Sequence, residues 1–153
     1  PRYPALNDAV KAGVPIDLLV RGFCCLRPGL TGLSENVRVT SIIGRFLEHA
    51  RIFHFAAGQE DPLQGEFYIG SADWMDRNLH NRVEVVTPIE DASAKARLWE
   101  IVETQLRDRR QAWELRPDGS YVQRTPAEAE GPDAPGSHAI LMHLARRQCQ
   151  APA

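Results

Sequence analysis

The feature that most constrains the fold is a nearly continuous apolar run, Ile16-Asp17-Leu18-Leu19-Val20. It follows a helical stretch after a short link. Ala5 to Ala12 reads as the end of a helix, closed by Gly13 and followed by Pro15. A run that is apolar on both faces and preceded by a helix is expected to be a buried, parallel strand, which points to an α/β architecture. In open α/β sheets, ligands collect beyond the carboxyl ends of the strands. Arg21 stands directly after this run, where it can face a ligand or remain a surface charge, and Gly22 gives it clearance.

The rest of the chain extends the pattern. Residues 27–36 are loop by composition, and Val37 to Ile43 is apolar and β-branched, hence strand. Gly44 to Glu48 suits a short turn. Arg51 to Phe55 alternates, and Glu66 to Ile69 returns as the second arm of a hairpin with a long acidic tip. One or two helical turns over Asp76 to Asn81 precede a strand at Arg82 to Val86, stopped at Pro88. The clearest helix runs from Ala92 to about Arg110, with Leu98, Ile101, Val102 and Leu106 at helical spacing. Asp91 or Ser93 can cap it. Arg107, Arg109 and Arg110 crowd its far end, where the helix dipole favours cations. Asp118-Gly119-Ser120 separates Trp113–Leu115 from Tyr121–Gln123, a hairpin signal. Residues 125–137 read as a mobile loop and Ala139 to Arg147 as a last helix. The expectation is one α/β domain over residues 1–153, a mixed sheet flanked by helices.

Composition narrows the function. The chain has 153 residues, 43% hydrophobic and 25% charged, ordinary for a soluble domain with a sizeable core. A net charge of −2 argues against general nucleic-acid binding. No apolar run reaches the length of a membrane span. No basic-then-apolar leader stands at the start, and an opening at Pro1 without methionine is expected of a piece of something longer. Lys11 and Lys95 are the only lysines among 18 basic residues, a bias that fits both general composition and bidentate phosphate recognition by particular arginines. Cys24, Cys25 and Cys149 make an odd set without C-x-x-C spacing, and are expected to be buried, reduced thiols of a cytoplasmic protein.

Two short segments could carry chemistry. In Glu48-His49-Ala50-Arg51, the imidazole and guanidinium share a side if the backbone is extended. An imidazole can attack, protonate or hydrogen-bond a phosphoryl group, and a guanidinium neutralises its oxygens. Glu48 could orient the His49 ring only if the backbone turns. In Gly70-Ser71-Ala72-Asp73-Trp74, Ser71 could aim an N–H and a hydroxyl at an anion, or mark an ordinary strand-end turn. Asp73 could fix an arginine or the histidine ring, and Trp74 suits a core or a pocket wall. His54 reads as structural or exposed. His80, His138 and His143 have no partner visible in the sequence.

Several strings, taken in order, resemble the bacterial polyphosphate kinase family. They are Leu18-Leu19-Val20-Arg21-Gly22-Phe23-Cys24-Cys25-Leu26-Arg27-Pro28-Gly29, Gly32 to Val39, Gly44 to Phe53, and Tyr68 to Met75. Arg82-Val83-Glu84-Val85 and Asp118-Gly119-Ser120-Tyr121 extend the match, which covers about residues 5–125. The resemblance implies reversible transfer of the terminal phosphate of ATP to inorganic polyphosphate, through a phosphohistidine and with Mg²⁺. It implies the second of two phospholipase D-like lobes, with Arg21 and His49 binding ATP; Arg51 and Ser71 could line the same pocket. Arg27, Arg38 and Arg45 are weaker candidates for steering a polyanion. The phosphorylated histidine and the Mg²⁺ site belong to parts of the family with no counterpart in this chain, so the chain alone is expected to be inactive and to hold no metal.

The implied partners are ATP or ADP, polyphosphate, the remaining lobes and further copies of the full-length enzyme. The implied location is the cytoplasm, with membrane association left open. Phospholipase D-like proteins themselves carry H-x-K, an Asp a few residues on, and often G-S-x-N. Here Arg51, Ala56 and Asp73 occupy those positions, which speaks against the alternative of a phosphodiesterase or nuclease. A third reading is a non-catalytic module that binds nucleotide or polyphosphate or mediates assembly.

Overall fold

The elements follow in the order α1 (Pro4–Lys11), β1 (Ile16–Leu19), β2 (Val37–Ile42), β3 (Ile52–Phe55), a 3-10 turn (Pro62–Gln64), β4 (Glu66–Gly70), α2 (Asp76–Asn81), β5 (Val86–Ile89), α3 (Ala92–Leu106), β6 (Ala112–Leu115), β7 (Tyr121–Gln123) and α4 (Ser137–Gln150). They come from a computed structural model that describes residues 4–22, 24–124 and 135–150. The architecture is α/β with sheets flanked by helices, as expected, but the strands divide between two sheets. The chain also divides into two compact units, one made of Arg2–Glu48 and Thr104–Ala153, the other of His49–Glu103.

The first unit holds a mixed sheet in the order β1-β2-β6-β7. β1 pairs with β2 in parallel, as the helix-then-strand order requires, while β6 and β7 are antiparallel to their neighbours. β1 is not the buried strand expected from its composition: it is an edge strand and only half-buried. The buried positions belong to β2, where Val37 and Val39 are each 2% exposed. Asp17 and Arg38 face each other in register and form a two-bonded ion pair (2.7 and 3.0 Å), so Arg38 is engaged within the sheet. The β6–β7 hairpin forms where the Asp-Gly signal placed it. Gly119 adopts φ +89°, and the Asp118 carboxylate accepts the Ser120 N–H at 2.9 Å.

The second unit is an antiparallel sheet in the order β3-β4-β5. Register places His54, Phe67 and Ile89 on one face and Phe53, Tyr68 and Pro88 on the other. Trp99 of α3 covers the first face, its ring 4.9 Å from His54 and 6.5 Å from Phe67, and Phe67 is 1% exposed. His54 is therefore structural, with its Nε2 3.0 Å from the Pro62 carbonyl. The opposite face is an open apolar groove lined by Phe53, Phe55, Tyr68, Trp74 and Val86. Trp74 stacks on Phe53 at 5.7 Å and forms part of the groove wall.

Further expectations change. The strand after α2 begins at Val86 rather than Arg82 and runs through Pro88. Proline is tolerated because β5 is an edge strand, where a missing N–H need not break the ladder. Helix α3 starts as expected, with the Asp91 carboxylate accepting the Ala94 N–H (2.8 Å), but it ends at Leu106. Arg124 donates to the Leu106 carbonyl at 2.7 Å, and the Asp108 carboxylate collects the next N–H groups, so the chain turns away. Arg107, Arg109 and Arg110 thus lie beyond the helix rather than on its last turn. Finally, α4 begins at Ser137, not Ala139, so it takes in the last residue of the expected 125–137 loop; residues 125–134 of that loop lie outside the described residues. The cysteines are unbridged, with Cys25 and Cys149 exposed rather than buried.

Candidate functional site

His49 follows β2 after a turn and leads into β3. Its side chain is exposed. Arg51, two residues on, bends back to donate from Nη1 to the His49 carbonyl at 2.9 Å. Its Nε donates to Asp73 Oδ1 at 3.1 Å, an ion pair whose side chains are 24% and 28% exposed. Of the two roles open to Asp73, the structure shows the first: it fixes an arginine.

The Gly70-Ser71 turn is tightly used. The Ser71 N–H donates to the Val85 carbonyl at 3.0 Å, and the Val85 N–H returns a bond to Ser71 Oγ at 3.1 Å. The Ser71 hydroxyl donates to Glu84 Oε2, whose second oxygen accepts from the Asn78 amide at 3.1 Å. The Ser71 bond is the main reason that the Glu84 carboxyl sits below its ordinary range; partial burial opposes it, and Asn78, Arg82 and Arg51 add to it. Ser71 is thus a brace between the end of β4 and the segment that leads into β5.

Arg21 lies in the other unit, just past β1. Its Nη1 donates to the Glu48 carbonyl at 2.7 Å, a bond between residues 27 apart in sequence. Arg45 sits over the Phe46 ring, 5.6 Å from its centre. Glu48 does not turn toward the His49 ring. Its carboxylate instead accepts from His138 Nε2 at 2.9 Å. His138 is 3% exposed, in the first turn of α4. The Phe46 N–H (3.4 Å) and the Gln111 side-chain amide (3.3 Å) both approach its Nδ1. The Gln111 Oε1 accepts the His138 backbone N–H at 3.1 Å.

Asp108 lies under this cluster, 1% exposed. It accepts the N–H groups of Arg110 (2.7 Å), Gln111 (2.6 Å) and Ser137 (2.6 Å). Burial pushes its carboxyl up, and the donors of Gln111, Ser137 and Arg110 together outweigh burial and hold it below the ordinary range. Sequence reasoning missed His138, Gln111 and Asp108, because nothing local links positions 48, 108, 111 and 138. The one available signal was Gly44: a Cβ there would fall 2.7 Å from His138 Nδ1 and collide with the Gln111 amide. Among the described residues, no three His, Cys, Asp or Glu side chains gather closely enough to hold a metal ion. No helix among them is long and apolar enough to cross a membrane.

This arrangement has known relatives. Residues 4–134 match the family described as polyphosphate kinase C-terminal domain 2. The chain is 57% identical over 138 residues to a polyphosphate kinase of Thermosynechococcus vestitus, covering 90% of this chain and 18% of that protein. It is 60% identical over 126 residues to a polyphosphate kinase of Synechocystis sp., covering 82% of this chain and 17% of that one. The crystal structure of polyphosphate kinase from Porphyromonas gingivalis superposes with a TM-score of 0.81 at 33% identity, over 99% of this chain and 23% of that one. The chain thus spans under a fifth of the length of these two relatives. With its motifs in order and the fold shared, the chain belongs to the polyphosphate kinase family, as its C-terminal domain 2.

Proposed function

We propose that the chain is the second phospholipase D-like catalytic lobe of a polyphosphate kinase that moves the terminal phosphate of ATP to inorganic polyphosphate, reversibly. The observation that carries this reading is the His49 segment within the family match. An exposed imidazole is held by its own carbonyl through Arg51, which Asp73 pins from the Gly70–Asp73 turn.

The chemistry runs in two displacements. A histidine nitrogen outside this chain attacks the terminal phosphorus, the bond to the bridging oxygen breaks, and ADP departs with that electron pair. A terminal oxygen of polyphosphate then attacks the phosphorus, and the nitrogen–phosphorus bond breaks. Such transfers need positioning and charge stabilisation above all. His49 contacts the phosphate in transfer, as acid–base group or orienter, and Arg21 pairs with the nucleotide phosphates. Arg51 adds positive charge beside His49. Ser71 enters as part of the pocket wall, since its hydroxyl is spent on Glu84. Mg²⁺ would lower the charge on the nucleotide phosphates; the family resemblance assigns its site to the remainder of the enzyme. The full-length enzyme is a cytoplasmic homo-oligomer, and the isolated chain, lacking the nucleophile, does not turn over.

Removing a charge-assisted contact to a developing transition state costs about 2–4 kcal/mol. His49→Ala and Arg21→Ala in the full-length enzyme should therefore each lower ATP-dependent polymer synthesis about tenfold or more. Near-normal turnover in both variants would refute the assignment.

A further inference from the structure

We propose that His138 is a positioning residue for His49, acting through the carboxylate of Glu48. The inference rests on the reading of His49 as a phosphate contact, and adds to it a residue 89 positions away that the motif does not contain.

The hydrogen bonds fix the state of the ring. Gln111 uses its oxygen to accept the His138 N–H, so its nitrogen is the atom that faces Nδ1. The Phe46 N–H also points at Nδ1. Two donors at one nitrogen require its lone pair, which leaves the proton on Nε2. That proton goes to Glu48 Oε1 at 2.9 Å. Glu48 is consequently held at both ends, its side chain by His138 and its carbonyl by Arg21 at 2.7 Å.

His49 is the next residue, and its own carbonyl is held by Arg51 at 2.9 Å. The peptide that carries the imidazole is gripped on both sides, once through a buried ring and once through a guanidinium. Gly44 leaves the space into which the ring and the Gln111 amide fit. Asp108 ties Gln111 and the first residue of α4 to one carboxylate, so the ring is presented by a rigid frame. Rigid support of this kind separates a placed catalytic group from a loose one.

The test uses the full-length enzyme, with kcat, the KM for ATP and thermal denaturation measured for each variant. His138→Leu should lower kcat about tenfold, since small misplacements of a catalytic group are costly. The KM should stay within about twofold. His138→Gln, which keeps a side-chain N–H donor, should recover most of the loss. Glu48→Ala, at a side chain 28% exposed, should reproduce the His138→Leu loss, and the double variant should be no worse than either.

The decisive arm is epistasis with His49. On the residual activity of His49→Ala, adding His138→Leu or Glu48→Ala should cause no further fall. A merely structural role would multiply the losses, and would overturn the proposal. So would full activity of both His138→Leu and Glu48→Ala while His49→Ala is impaired. Near-normal activity of His49→Ala itself would instead bring down the underlying reading, and this inference with it.

Discussion

The two stretches that flank His49 are held by different chemistry. Upstream, Gly44 to Glu48 rests on a buried web in which His138 and Asp108 are 3% and 1% exposed. The links to Asp108 and to the His138 ring are hydrogen bonds to groups shielded from water, although the Glu48 carboxylate itself is 28% exposed. Downstream, Arg51 and Asp73 form an ion pair whose side chains are each about a quarter exposed, and Ser71, Glu84 and Asn78 make a smaller network at the strand end. Water can replace a lost partner in the second place but not in the first. The same kind of truncation should therefore be costly upstream and mild downstream for folding, even though both stretches flank one imidazole.

The sharpest way to break that contrast is Asp108→Ala. It strips the acceptor from three backbone N–H groups, each costing about 1–3 kcal/mol when left buried and unmade. Chemical denaturation of the 153-residue chain should show a loss of about 3 kcal/mol or more. The same carboxylate sets a pH signature. Its folded-state pKa lies below the ordinary value, so its contribution is fully present above that value, about 3.9, and is lost as pH falls through the folded one. Asp108→Asn should flatten the acid limb of the stability curve, and an unchanged limb would remove Asp108 from the account.

Gly44→Ala comes next. The added methyl has to displace the Gln111 amide and the His138 ring, an overpacking worth about 1–3 kcal/mol. Its loss of activity should exceed what its loss of stability explains.

Asp73→Ala should cost folding only about 0.2–1 kcal/mol, in keeping with a partly exposed pair. It should still slow catalysis, because Arg51 then loses the group that aims it at the His49 carbonyl. A stability loss as large as that of Asp108→Ala would erase the distinction between the two stretches. The smallest effect belongs to Ser71→Ala. It should raise the Glu84 pKa toward the ordinary carboxylate range, seen by NMR titration, with little change in melting temperature.

Much of this was legible in the chain. The Asp-Gly hairpin, the α2 bounds, the Asp91 cap and the β3–β4 pairing all follow from local signals. The motif strings placed His49 and Arg51 together. What escaped depends on long-range partners. Helix α3 stops at Leu106 because Arg124 and Asp108 draw the chain away, and neither lies in the helix's own periodic pattern. Val83 and Val85 look like strand residues but are 100% and 62% exposed, since pairing with β4 begins only at Val86. The Glu48–His138 bond joins residues 90 apart, and no propensity or spacing rule reaches that far.

The central claim is that His49 assists a phosphoryl transfer whose covalent acceptor lies outside this chain. Its most direct test is rapid-quench labelling of the full-length enzyme with γ-labelled ATP, wild type beside His49→Ala, followed by mapping of the labelled peptide. An acid-labile label is expected outside residues 1–153, formed about tenfold or more slowly in the variant. A label on His49, or an unchanged rate of formation, would contradict it.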